Sequence, residues 1–259
     1  MKKFINFSLA VTAVMAVLLA WSCKPSATKE TASDTPLVNA LTPEEEAAGW
    51  ELLFDGSTLD GWKRFNHDTI GPLWRVEDSC IIVQGEGLGE GSGVWGGSLI
   101  TLKQYGNFEL VCDFKVSPGG NSGILYHVVE GAQYSHDYVT GPEYQVMDDK
   151  GWTGDSLHAA QTVGSNYDMF AAPVTKITKP VGEWNLAKII YNNGHVEHWL
   201  NGEKTVEFEE GSPAYNEAFE KSKWNGTEYP DWNKFKTGSI SLQDHGAPIW
   251  FRNIKVREL

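Results

Sequence analysis

From Trp50 onward, apolar residues recur mainly at every second position, the period of a half-buried strand. The cleanest run is Phe108-Glu-Leu-Val-Cys-Asp-Phe-Lys-Val116, where Leu110, Cys112 and Phe114 share the apolar face. Gly119-Gly120-Asn121 turns this run into a second strand over 122–128. Residues 184–191 meet 195–200 across Asn192-Asn193-Gly194. Asn-Gly there is a two-residue hairpin signal, because both central positions must reach positive φ. Asn201-Gly202 leads into a further strand over 204–208, and the chain closes with strands over 238–243 and 249–257. Helical periodicity is confined to a short surface helix over 214–221. Many short strands, frequent turns and no βαβ alternation imply one all-β domain, a sandwich or jelly roll of antiparallel sheets. No internal repeat interrupts it, and no boundary follows residue 46.

The first 45 residues follow a different pattern. Lys2 and Lys3 precede an apolar run from Leu9 to Ala20, and small residues follow. The run is shorter than the ~20 residues a transmembrane helix needs, so residues 1–22 read as a secretory signal. Ala20-Trp21-Ser22-Cys23 resembles the lipobox of bacterial lipoproteins, in which that cysteine is lipidated and becomes the mature N-terminus. An ordinary cleaved signal, with Cys23 incidental, is the alternative. Residues 23–45 are rich in Ser, Thr, Ala and Pro and read as a flexible tether. A lipid on Cys23 would hold the 46–259 domain at a membrane of the bacterial cell envelope, periplasmic or at the outer-membrane surface, without spanning it. Removing residues 1–22 takes away two lysines and no acid, so the net charge moves from −13 to −15. Anionic lipid then repels the domain.

The same charge excludes a nucleic-acid phosphate binder, which needs clustered Lys and Arg. The glycine and aromatic content excludes a disordered or coiled-coil chain. Three cysteines cannot build a disulfide framework. Cys112 reads as a buried thiol, and a Cys80–Cys112 disulfide stays open. Gly91-Ser-Gly93-Val-Trp-Gly96 fits a dinucleotide-binding spacing, but a strand-like run over 98–102 follows it where a helix is required. It is a glycine loop, and no nicotinamide cofactor is expected. No G-x-S-x-G, P-loop, H-E-x-x-H or C-x-x-C pattern occurs.

Two segments carry polar groups where plain alternation would be enough. In Gly141-Pro-Glu143-Tyr-Gln145-Val-Met-Asp148-Asp149, Glu143 and Gln145 share a strand face opposite Tyr144 and Val146. Asp148 is one step out of phase, and a β-bulge near Met147 would bring it to the Glu143 face. In Leu242-Gln243-Asp244-His245-Gly246, Gln243 and His245 share a face, and His245 can serve as base, acid or metal ligand. Against these stand a solvated outer face for Glu143 and Gln145, a turn at Asp148-Asp149, and a turn-stabilising role for His245. Arg252 and His127, with its neighbour Tyr126, are weaker substrate-binding candidates. Trp62, Trp74, Trp152, Trp224 and Trp232 are core residues by default, although an exposed indole could stack on a sugar.

Leu53-Phe-Asp-Gly56, Leu59-Asp-Gly-Trp62, Gly120-Asn-Ser-Gly-Ile124 and Glu143-Tyr-Gln145 then follow one another in a definite order. Gly182-Glu-Trp-Asn185, Trp199-Leu-Asn-Gly202, Leu242-Gln-Asp-His-Gly246 and Phe251-Arg-Asn-Ile254 continue it. Together they resemble the 3-keto-disaccharide hydrolase family across about residues 49–259. The resemblance implies a concanavalin-like jelly roll, extracytoplasmic bacterial sugar metabolism, and cleavage of glycosides already oxidised to a ketone at C3. Such a ketone acidifies the C2 hydrogen, so a base can remove it, the C1 substituent can leave, and water can add back. Glu143 or His245 would be the base, Asp148 the acid, and Gln145, Gln243 and Arg252 would position hydroxyls or stabilise the enolate. A divalent metal on Glu143 and histidine could replace Arg252. The strand also resembles the E-x-D-x-x-E strand of laminarinase-type glycosidases, with Gln145 in place of the middle Asp and Asp148 in place of the second Glu. A retaining glycosidase and a non-catalytic carbohydrate-binding module are therefore the competing expectations.

Overall fold

The period-two runs form strands where the pattern places them. A computed structural model describes Met1, residues 38–84 and residues 97–259. The expected signal, Cys23 and most of the tether lie outside the described residues, as does the glycine loop at 91–96. The chain divides into two compact units, Met1–Pro36 and Leu37–Leu259, and the strands and helices of the sandwich all belong to the second.

In chain order the strands are β1 (Trp50–Leu52), β2 (Trp62–Arg64), β3 (Trp74–Glu77), β4 (Cys80–Val83) and β5 (Leu99–Thr101). Then come β6 (Phe108–Val116), β7 (Asn121–Val128), β8 (Glu143–Met147) and β9 (Asn185–Asn192). The last are β10 (His195–Leu200), β11 (Glu203–Glu209), β12 (Ser239–Leu242) and β13 (Ile249–Glu258). Two short helices, α1 (Pro43–Ala47) and α2 (Pro213–Lys221), accompany them. One sheet has the order β11-β10-β9-β6-β13-β4-β3, with β1 also on β13; the other has the order β2-β5-β12-β7-β8. All pairings are antiparallel. The two sheets form a jelly-roll sandwich around one large core that includes Phe108, Phe114, Tyr144, Val146, Ile189 and Phe251.

Local chemistry explains the turns. Asn193 and Gly194 have φ of 52° and 90°, and Asn201 and Gly202 have 52° and 86°, as tight hairpins require. Along β6 burial alternates at every residue. Cys112 and Cys80 are buried free thiols rather than a disulfide.

Two bulges redirect the chain. On β7, Ser239 pairs with Val128 but Ser241 with Leu125, and His127 takes φ +56°. A Cβ on Gly238 would run into the His127 backbone, so only glycine permits this approach. On β13 the register shifts after Arg252, and Asn253 takes φ +50°. There Asn39 binds: its N–H donates to Asn253 Oδ1 at 2.6 Å, and the Asn253 N–H donates to Asn39 Oδ1 at 2.8 Å. Thr42 caps α1, and Lys255 reaches Glu45 at 2.7 Å. The expectation of a free tether up to residue 45 is therefore corrected. From about residue 38 the segment is part of the domain, held by partners more than 200 positions away that local composition cannot reveal.

Candidate active site

Strand β8 is the edge of its sheet. An exposed edge carries unpaired N–H and C=O groups, and the segment 159–172 covers them. Gln145 N–H donates to Ser165 O at 3.1 Å, Gly164 N–H to Gln145 O at 2.9 Å, and Tyr167 N–H to Glu143 O at 3.0 Å. Covered in this way, β8 presents Glu143 and Gln145 on the outer face of the sandwich, while Tyr144 and Val146 fill the core. Gly123 lies opposite Gln145 on β7 and leaves room for Glu143: a Cβ there would be 2.5 Å from Glu143 Oε1.

Gln243 follows β12 directly. Its N–H donates to Gly123 O at 2.9 Å, and its carbonyl accepts from Ser122 Oγ at 2.7 Å. Asp244 Oδ1 then accepts the Gly246 N–H at 3.1 Å, and Gly246 sits at φ +89°. This turn presents His245, whose ring packs edge-on against Trp152 at 6.2 Å. Burial depresses the His245 pKa below its ordinary 6.5, and the nearby Lys223 ammonium adds to the effect; its own backbone and Asp244 oppose it.

These side chains converge. Glu143, Gln145, Gln243 and His245 line one pocket of ≈ 100 Å³, joined by Asn121, Tyr138, Tyr167, Lys223 and Tyr229. Glu143, Gln145 and Gln243 are each no more than 5% exposed, so the reading of a solvated outer face does not hold for them. The loops are fixed from below. Asp137, fully buried, accepts from Ser241 Oγ at 2.6 Å and from the Tyr138 N–H at 2.9 Å, which anchors the turn carrying Tyr138. Burial pushes the Asp137 pKa up.

Four expected residues lie elsewhere. Asp148 does not reach the Glu143 face, because β7 and β8 pair without a register shift. Its carboxylate accepts the Gly119 N–H at 3.0 Å and the Lys150 N–H at 3.3 Å, so the turn reading is the right one for it. It lines a separate cavity of ≈ 620 Å³. Arg252 points outward from the larger sheet, stacked 4.0 Å from the Trp184 ring centroid and 3.2 Å from Asp113. Tyr126 faces the core with Ile124 by plain alternation, and the β7 bulge turns His127 inward beside it. His127 Nε2–H donates to Gly106 O at 2.9 Å, and Tyr126 packs edge-on to His198 at 6.0 Å.

Tyr138, Tyr167, Lys223, Tyr229 and Asn121 escaped the sequence reading. Tyr138 and Lys223 sit in three-residue 3-10 helices and Tyr167 and Tyr229 on loops, all without periodicity, and only tertiary packing brings them to β8. Glu143 and His245 are the carboxylate and the imidazole that the described pocket lining offers a metal, beside the amide oxygens of Asn121, Gln145 and Gln243. A set of metal-like spacing among the described residues, His195, Glu197 and Glu207, lies on β10 and β11. There Lys204 Nζ already sits 3.2 Å from Glu197 and 2.7 Å from Glu207.

A 3-keto-disaccharide hydrolase of Bacteroides thetaiotaomicron is 36% identical over 240 residues, covering 86% of this chain and 82% of the relative. A crystal structure from Parabacteroides distasonis, of a protein provisionally named a glycosyl hydrolase, superposes with TM-score 0.78 at 40% identity, covering 86% of this chain and all of that one. A second P. distasonis structure under the same provisional name gives TM-score 0.59 at 26% identity, covering 81% and 99%. The family of the 3-keto-alpha-glucoside-1,2-lyase-like domain matches residues 49–257. That span holds every residue lining the pocket, and the chain belongs to this family.

Proposed function

We propose that this domain cleaves the glycosidic bond of 3-keto-glycosides by elimination across C1 and C2 followed by hydration. The observation that carries the reading is the convergence of Glu143 and His245, flanked by Gln145 and Gln243, in one pocket. A C3 ketone makes the C2 proton removable by a side-chain base. His245, kept neutral by burial, takes that proton, and Glu143 passes a proton to the departing oxygen. The buried amides of Gln145 and Gln243 orient hydroxyls. Gln145 is itself held, since its Nε2 donates to Gln161 O at 3.2 Å and its Oε1 accepts the Val146 N–H at 3.0 Å.

Direct retaining hydrolysis needs two carboxylates on one face, about 5–5.5 Å apart. With Asp148 on the turn at Gly119, the pocket lining among the described residues includes a single carboxylate, Glu143, which favours elimination. A divalent ion bound by Glu143 and His245 would have to complete its shell with amide oxygens, water and substrate, and a chelator tests for it. Incubating the protein with matched 3-keto- and plain glucosides separates the readings. Sugar is released from the keto substrate alone if elimination operates. Release from the plain glucoside alone would reject it, and binding without release from either would indicate a carbohydrate-binding module.

We propose further, from the lipobox-like Ala20-Trp21-Ser22-Cys23, that the protein is a lipoprotein of the cell envelope anchored through Cys23. Labelled palmitate should be incorporated by the natural chain and not by Cys23→Ser; incorporation by both would reject the anchor.

A further inference from the structure

Lys223 opens a short 3-10 helix two residues after the end of α2 and contributes its side chain to the pocket lining. Three aromatic rings surround its ammonium: Trp224 at 4.3 Å, Tyr167 at 4.5 Å and Tyr138 at 5.6 Å from Nζ to the ring centroids. Ring faces attract a cation, so the three rings confine the group. Its backbone is fixed as well. The Lys223 N–H donates to Asp168 Oδ2 at 2.6 Å, and Asp168 Oδ1 lies 2.5 Å from His158 Nε2. Asp168 is in the left-handed region at φ +61°, and its own N–H donates to Ala160 O at 3.0 Å. The Trp224 indole N–H donates to Tyr167 O at 3.0 Å. The segment that covers the β8 edge therefore also holds Lys223 in the pocket lining that includes Glu143 and His245.

Resting on the 3-keto-glycoside reading above, we infer that Lys223 is the catalytic electrophile that distinguishes a C3 ketone from a C3 hydroxyl, with Asp168 as its positioning residue. A ketone oxygen only accepts hydrogen bonds, and an ammonium only donates them. When the C2–H bond breaks, its proton goes to the base, its electron pair forms C2=C3, and the carbonyl π pair moves onto oxygen. Negative charge then develops beside the Lys223 ammonium. As C3=O re-forms, C1=C2 forms and the C1–O bond breaks, with a proton delivered to the leaving oxygen. Water adds across C1=C2 to restore a hydrated sugar. No oxidant or reductant is required. With a plain glucoside no charge develops at that oxygen, so the ammonium contributes nothing to the barrier.

The test compares the full chain with its Lys223→Met and Lys223→Arg variants, each checked for an unchanged circular-dichroism spectrum. Two substrates are used: an aryl 3-keto-glucoside, and a 3-keto 1,5-anhydro sugar that has no leaving group at C1. The first reports cleavage, and the second reports C2 exchange with D2O by NMR. Lys223→Met should lower both rates by about 10²–10³ with little change in KM, as expected for a donor to a developing oxyanion, and Lys223→Arg should recover part of the loss. Asp168→Asn should slow the natural chain about tenfold but have no further effect in the Lys223→Met background. Natural protein active on the keto substrate, with Lys223→Met within about threefold of it on both readouts, would overturn the assignment to Lys223. Equal losses from Asp168→Asn in both backgrounds would overturn the positioning role. Natural protein inactive on both keto sugars would overturn the reaction itself.

Discussion

The Glu143 carboxylate lies directly over Gly123, where a Cβ would come within 2.5 Å of Oε1. Gly123 does not need glycine for its backbone angles, since its φ is not positive; it needs glycine for the space above it. Gly123→Ala should therefore push the carboxylate aside. Turnover should fall at least about tenfold, and stability should fall by about 1–3 kcal/mol from overpacking. Steady-state kinetics with a thermal melt checks both, and unchanged kcat would show that the position of Glu143 is not critical.

Glu143→Gln and His245→Ala should each abolish turnover while leaving stability within about 1–2 kcal/mol of the natural chain. The His245 pKa lies below 6.5, and the reaction needs the neutral imidazole. Activity should hold through neutral pH and fall only as acid protonates the ring, with a midpoint under 6.5. A kcat/KM profile settles this: an acid limb centred above neutrality, or an active His245→Ala protein, contradicts the role of His245 as base.

Asp148→Ala should leave catalysis intact. Its carboxylate accepts two backbone N–H groups, from Gly119 and Lys150, so the loss should appear as about 1–3 kcal/mol of stability. Arg252→Ala should likewise spare turnover, since its partners are Asp113 and Trp184 on the outer face. A kcat below one tenth of the natural value in either variant would return that residue to the site.

Two buried histidines set the acid limit of the fold. Burial holds His127 at about 4 and His198 at about 3, against an ordinary 6.5. Because both folded values lie below the unfolded value, the unfolded chain takes up protons first as pH falls. Their contribution is complete above pH 6.5 and is lost as pH drops from there toward about 4 for His127 and about 3 for His198. At full loss this is on the order of 3 kcal/mol for His127 and 5 kcal/mol for His198. Urea melts between neutral pH and pH 4 should show this decline, and His198→Gln should flatten it. A melt independent of pH over that range would contradict it.

The parts of the fold legible in the sequence were those carried by local chemistry. Asn193-Gly194 and Asn201-Gly202 specify their hairpins by positive φ, and the alternation through Cys112 specifies which face of β6 is buried. In the site, Glu143, Gln145, Gln243 and His245 stood out because a strand face that needs no polar group carried several. Lys223, Tyr138, Tyr167 and Tyr229 gave no such sign, since each reaches the pocket from a loop or a three-residue 3-10 helix with no periodicity. His127 misled because the bulge that turns it inward depends on Gly238, more than a hundred residues later. Asp148 misled in the opposite way: its candidacy required a bulge, and β8 has none.

The central claim is that bond cleavage begins with loss of the C2 proton. The most direct test runs the reaction on a 3-keto-glucoside in D2O and follows C2 of the released sugar by NMR, with the free 3-keto sugar in the same buffer as the control. Elimination and hydration place deuterium at C2 in every turnover, faster than the free sugar exchanges by itself. A released sugar that keeps its C2 proton, with exchange no faster than the control, would contradict the mechanism.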